Sequence, residues 1–126
     1  MGPVIVTLLA VGAAAAVGAV ARYMLDQYVQ YRSPGLFPLG TWLINVTGSF
    51  VLGLLVGLGA RHGLPEQFVP IAGVGFCGAY TTFSTFSYEL VHLREKGQVR
   101  KSLLYGASSL TAGLLAAAAG LAVESF

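Results

Sequence analysis

The side chains capable of chemistry concentrate in a few short runs. The run Gly73-Val74-Gly75-Phe76-Cys77-Gly78-Ala79-Tyr80-Thr81-Thr82-Phe83-Ser84-Thr85-Phe86-Ser87 sets three glycines before Thr, Thr, Ser, Thr and Ser in an otherwise apolar stretch. Such a run makes a poor uninterrupted helix. It predicts a break near Gly78–Thr82, where unwound carbonyls at membrane depth could bind a cation. The same residues also suit a packing face whose hydroxyls bond back to the helix. Asn45 carries a carboxamide that can donate two hydrogen bonds without charge, chemistry suited to an anion that must bind and leave. It equally suits an interhelical bond that fixes register. Phe83 and Phe86 are three apart, and their electropositive ring edges could flank an anion, or the rings could face lipid or core. Tyr105, Ser108, Ser109 and Thr111 form a second polar cluster, in which Tyr105 and Ser109, four apart, project from one helix face.

The ionisable residues narrow the choice of ion. No carboxylate lies centrally in an apolar stretch: Asp26, Glu66 and Glu124 are terminal or in loops, and Glu89 closes the third stretch. A cation path lined by acids is therefore disfavoured. Arg22 could draw anions into a vestibule or snorkel to the headgroups. His62 and His92 fall in or beside separate loops and cannot share one metal. Cys77 has no partner for a disulfide or thiolate site and reads as a small buried side chain. Asn45-Val46-Thr47 matches the glycosylation pattern, but its apolar setting rules out an exposed acceptor. No nucleophile, base and orienting group form a catalytic set.

These residues must be positioned by apolar helices. Of 126 residues, 56% are hydrophobic and 10% charged, and the mean hydropathy of +0.75 marks an integral membrane protein. A formal charge of +2 gives no phosphate-binding face, which excludes nucleic-acid recognition. Four stretches, about 4–21, 40–60, 68–88 and 102–123, are long enough to cross a bilayer. They predict an all-α integral membrane protein with four transmembrane helices, the third broken, in a single domain over 1–126. The first stretch has no basic residue before it and reads as a retained span rather than a cleaved signal. The two longer loops carry Arg32, Arg94, Lys96, Arg100 and Lys101, with Arg22 at a helix end, against only Arg61 on the other side, which places those loops in the cytoplasm. Gly53 and Gly57, Ala14 and Gly18, and Ala112, Ala116 and Gly120 form small-residue rows that let helices approach closely. These rows and the broken third span predict that the chain needs a partner.

The run Gly75 to Ser87, GFCGAYTTFSTFS, together with Gly40-Thr41 and Asn45-Val46-Thr47-Gly48, resembles the small fluoride channels known as the Fluc or CrcB family. The resemblance covers essentially the whole chain, including Gly18 followed by Arg22. It implies an antiparallel, dual-topology homodimer in the inner (cytoplasmic) membrane, with two narrow fluoride pores. It also implies a structural sodium ion held by the backbone carbonyls of Gly78 and Thr81. Phe83 and Phe86 would face fluoride, Asn45 would donate to it, and Ser84 and Thr85 would form a polar track leading toward Glu89. Tyr105 and Ser109 match polar pore positions, and Arg22 and Glu89 are vestibule candidates. Ala79, where the family usually has a second glycine, and Gly113, where it often has a hydroxyl residue, depart from the pattern. The implied activity is passive fluoride export without a covalent step, hence a channel rather than an enzyme. Two rival readings are a small four-helix proton-coupled multidrug exporter, whose central carboxylate on the first helix is missing here, and a non-transporting membrane assembly factor. The basic asymmetry opposes dual topology: if it fixes one orientation, an oppositely oriented homologue must replace the second copy.

Overall fold

The computed structural model describes residues 2–123, and the helices there follow the apolar stretches with different ends. Helix α1 is Gly2–Arg32 and α2 is Leu39–Arg61. A π-helical segment, Pro70–Cys77, runs into one helical turn, α3 (Gly78–Tyr80); α4 is Ser84–Glu95 and α5 is Val99–Val123. Helices α1, α2 and α5 are each long and apolar enough to cross a membrane. Glu124 lies outside the described residues.

The segment from Arg22 to Leu39, expected between spans, is mostly helix. Residues 21–32 contain neither Gly nor Pro, so the helix continues where hydropathy falls, and Pro34-Gly35 stops it after Ser33 N–H closes a last bond to Val29 O (2.7 Å). Its 31 residues correspond to about 46 Å, enough to cross hydrocarbon and headgroups together. Pro70 opens the third segment, where its missing N–H costs nothing. The break there starts later than expected. Gly78 is helical (φ −63°, ψ −38°), and the chain turns extended only at Thr81 (φ −84°, ψ 162°) before restarting at Ser84. Between α4 and α5, Gly97 adopts φ 78°, with Gly97 N–H bonded to Arg94 O and Gln98 N–H to Leu93 O. This is a Schellman turn, and the left-handed position requires glycine.

The small-residue rows are filled within the chain rather than by a partner. Against α5, a Cβ at Gly53 would collide with the Ala117 carbonyl, and one at Gly120 with the Phe50 carbonyl. Against the π-helical segment, Gly18 meets the Phe76 carbonyl, and Gly75 meets Val11 O and Ala14 Cβ. The expectation that these rows need a second copy is therefore corrected: two parallel contacts within the chain, α2 with α5 and α1 with the third segment, occupy Gly53, Gly120, Gly18 and Ala14. Trp42 Nε1 donates to Ser108 Oγ (3.1 Å) across the α2–α5 pair. Tyr105, Phe86 and Leu93 form a buried cluster at the junction of α4 and α5, with Phe37, Trp42 and Leu90 packed around it.

Close backbone contact at Gly53 has a measurable consequence. Gly53→Leu should lower folding stability by about 1–3 kcal/mol through overpacking, read as a lower melting temperature in detergent. Gly12, which has open space around it, serves as the control, and Gly12→Leu should melt like the wild type.

Candidate functional site

The site is built around one carboxamide. Asn45 Nδ2 donates to Thr82 O (2.8 Å), and Thr82 N–H donates to Asn45 Oδ1 (2.8 Å). A side chain on α2 thereby stands in for a neighbouring strand and satisfies both backbone groups of Thr82. In a continuous helix the Thr82 N–H would bond to the Gly78 carbonyl; here it is taken away. The same residue diverts a second bond. Thr82 Oγ1 accepts the N–H of Thr85 (3.2 Å), capping α4, so the donor that would serve the Thr81 carbonyl is also withdrawn. Thr82 Oγ1 further donates to Thr85 Oγ1 (3.2 Å) and shares a bond with Ser84 Oγ (3.4 Å).

The two carbonyls expected to hold a cation, those of Gly78 and Thr81, are thus the ones whose helical donors are redirected. Both residues line a groove of about 630 Å³ between α2 and the third segment, with Asn45, Gly48, Ser49 and Phe83 among its other walls. These freed oxygens fit a hard monovalent cation, two from one chain. Glycine at 78 has no cause within the chain, since its φ is ordinary and a Cβ there would have only Gly73 O, at 3.9 Å, nearby. Ala79 is likewise helical, so the missing second glycine leaves the turn intact.

Adjoining that groove, with Asn45, Ser49, Thr82 and Phe83 common to both, is a cavity of about 270 Å³ whose walls also include Phe86, Ser109 and Gly113. It brings together four of the expected anion-pathway residues: Asn45, Phe83, Phe86 and Ser109. The Phe83 and Phe86 rings are 6.0 Å apart at 44°, but their surroundings differ. Phe86 is 9% exposed, and Phe83, at the restart of the helix, is 78% exposed. Ser109 Oγ is buried without a hydrogen-bond partner, an unusual state for a hydroxyl. Asn45 Nδ2 has a second hydrogen beyond the one given to Thr82. A Cβ at Gly113 would reach Ser49 Oγ at 3.6 Å, so the wall has room for the hydroxyl residue that it lacks.

The remaining candidates lie further out. Tyr105 is fully buried, packs its ring against Phe86 (5.1 Å) and Phe37 (5.4 Å), and donates to Glu89 Oε1 (3.0 Å). Glu89 in turn lines a cavity of about 220 Å³ with Gln30, Tyr88 and His92 at the end of the bundle. Ser84 and Thr85 reach the site through Thr82 rather than as cavity walls. Arg22 is half-buried on α1 and lines neither cavity at the break. Sequence reasoning missed Thr82, although a Thr just before a helix restart is a residue type that caps helix N-termini. It also missed Tyr80, whose hydroxyl shares a bond with Thr47 Oγ1 (2.8 Å) and ties the turn before the break to α2.

Known proteins with this sequence pattern share a family. The family model described as "CrcB-like protein, Camphor Resistance (CrcB)" matches residues 9–121. The chain is 52% identical over 121 residues to the fluoride-specific ion channel FluC 1 of Leifsonia xyli subsp. xyli, covering 96% of this chain and 87% of that protein. It is 46% identical to the fluoride-specific ion channel FluC 1 of Streptomyces avermitilis, covering 90% of this chain and 91% of that protein. It is 42% identical to the fluoride-specific ion channel FluC 2 of Moorella thermoacetica, covering 86% of this chain and 88% of that protein. With its long apolar helices and the match across nearly its whole described length, the chain is a multi-pass membrane protein and belongs to the CrcB family.

Proposed function

We propose that the chain forms a fluoride-selective channel that passively exports fluoride across the cytoplasmic membrane. The observation that carries the reading is the cavity shared by Asn45, Phe83, Phe86 and Ser109, with the Ser109 hydroxyl buried and unpartnered. Relatives at 42% to 52% identity that bear the name fluoride-specific ion channel support the choice of ion. Fluoride is small and strongly hydrated, so it enters only where other donors replace water. The second Asn45 amide hydrogen and the Ser109 hydroxyl offer two such donors, and the ring edges of Phe83 and Phe86 offer positive surface without the desolvation cost of a full charge. A chloride ion is larger and gains less from contacts this close. Ser84 and Thr85, tied to the cavity through the Thr82 hydroxyl, and Tyr105, bonded to Glu89, carry polar groups onward toward a vestibule, and Arg22 attracts anions at a distance. Nothing in this route forms or breaks a covalent bond, and the activity is transport rather than catalysis.

The active unit in this reading is an antiparallel homodimer. Glycine at 78 without an in-chain cause, the exposed Phe83 ring and the groove beside the break all support a second copy against this face. The carbonyls of Gly78 and Thr81 from two copies would hold one sodium ion, which when bound supplies a fixed positive charge near the pathways. The antiparallel dimer demands that both orientations be inserted, which the basic asymmetry between the two ends opposes; a stable antiparallel interface draws the minority orientation into dimers by mass action.

Fluoride efflux from liposomes tests the function directly. The wild-type protein should release fluoride rapidly and retain chloride; efflux no faster than from protein-free vesicles removes the reading. Ring-edge contacts are worth about 0.5–1.5 kcal/mol, so Phe83→Ile and Phe86→Ile should each slow fluoride by up to about tenfold with folding intact. Ser109→Ala separates the roles most clearly. A hydroxyl bonded within the fold would cost stability when deleted, whereas an unpartnered one should leave the melting temperature unchanged and still slow fluoride.

The cation is tested by stability. The purified dimer should melt at a higher temperature in sodium chloride than in N-methylglucamine chloride at equal ionic strength. Identical melting in the two salts would remove the sodium site while leaving the flux result standing.

A further inference from the structure

One end of the bundle gathers exposed cations at the edge of its apolar surface. The Schellman turn at Gly97 displays Arg94, Lys96, Arg100 and Lys101 within eight residues, all exposed, with Glu95 the only carboxylate among them. The first turn of α5 holds no acidic residue, so the cations there have no local offset. The α1 terminus lies at the same end, because Gln30 of α1 and Tyr88, His92 and Leu93 of α4 line one cavity. Ser102 Oγ bonds to Leu90 O (2.8 Å) and fastens the start of α5 to α4. Arg32 adds a fifth cation there, standing 5.6 Å over the Tyr28 ring.

Two surfaces adjoin this patch. Val99, Leu103 and Leu104 are exposed apolar side chains beside Arg100 and Lys101, and Val91 is exposed on α4. Tyr28, Tyr31 and Tyr88 are exposed as well, the side-chain type that settles at headgroup depth. The cations therefore adjoin the exposed apolar surface and the tyrosines at one end of the bundle. At the other end Arg61 is the one Lys or Arg among the described residues, and its guanidinium donates to the Leu121 carbonyl.

We propose that Arg94, Lys96, Arg100 and Lys101, with Arg32, form a docking surface for the headgroups of anionic phospholipids, present at one end of the chain only. A cluster of this size just beyond a spanning helix holds anionic lipid by charge, screened by salt. Lipid is the occupant because the cations adjoin the exposed apolar surface and the tyrosines, which a soluble anion would leave unused. The surface is separate from the fluoride pathway, and its test does not depend on flux.

The test uses the full chain in nanodiscs of phosphatidylcholine alone or of equal parts phosphatidylcholine and phosphatidylglycerol, with thermal unfolding as the readout. Phosphatidylglycerol should raise the melting temperature of the wild type, and high salt should erase the rise. The R94Q/K96Q/R100Q/K101Q variant should lose it, and R94K/R100K, which keeps the charge, should retain it. If the fourfold variant does not fold, R94Q/K96Q and R100Q/K101Q separately should each lose part of the rise. An equal rise in wild type and glutamine variants would overturn the proposal. So would a matching rise from inorganic phosphate added to phosphatidylcholine nanodiscs, because the patch would then take free anions without preferring lipid.

Discussion

Everything distinctive about the third segment depends on the two hydrogen bonds between the Asn45 carboxamide and the backbone of Thr82. Inside hydrocarbon an unpaired N–H or C=O costs several kcal/mol, so a helix there opens only where another group takes over its bonds. Asn45 takes both from Thr82. The Thr82 hydroxyl, left in place by that fixed backbone, then caps Thr85 and lets the chain resume as α4. The carbonyls of Gly78 and Thr81 are released as a consequence. One neutral side chain therefore satisfies both backbone groups of Thr82 and takes the helical donor away from the Gly78 carbonyl, while the Thr82 hydroxyl takes it from the Thr81 carbonyl. The second amide hydrogen of Asn45 remains for the cavity that it lines with Phe86 and Ser109.

A carboxamide can hold this position only if its own helix is fixed. Helix α2 is locked to α5 by backbone contact at Gly53 and Gly120, and Trp42 bonds across to Ser108. One turn from Asn45, Gly48 lies against the Thr81 methyl and the Tyr80 ring, so the break segment rests directly on the α2 backbone. Thr47 adds its bond to Tyr80 from the same face. The rigid pair α2–α5 thus serves as the platform, and the π-helical segment, carried on α1 through Gly18 and Gly75, is pressed onto it. The aromatic cluster of Phe37, Phe86 and Tyr105 closes the far side and keeps the Phe86 ring fixed while Phe83 stays at the surface.

Much of this is legible in the sequence, for reasons that differ between residues. Apolar stretches mark the helices because lipid demands them, and the hydroxyl-rich run around Thr81 marks a weak helix. Helix ends are less legible from hydropathy: α1 runs through Arg32 because lipid contact and helix propensity stop at different residues. The break sits at Thr81–Phe83 because Asn45, distant in sequence, selects Thr82, and no local propensity encodes that choice. The small-residue rows reveal close approach but not which helix approaches; Gly53 and Gly120 meet each other's helices rather than a second chain. Asn45, Phe83, Phe86 and Ser109 converge on one cavity, yet their separate reach to it, and the unpartnered state of Ser109, needed three dimensions.

The most direct measurement of the central interaction is the backbone conformation of Thr81, read from its Cα and Cβ carbon-13 shifts in threonine-labelled protein in lipid bilayers. In the wild type the shifts should be those of extended chain, matching ψ 162°. In Asn45→Leu, with its clamp on Thr82 removed, they should move to helical values as Thr82 N–H returns to the Gly78 carbonyl. Helical shifts in the wild type, or extended shifts that persist in Asn45→Leu, would contradict the claim that this carboxamide holds the helix open.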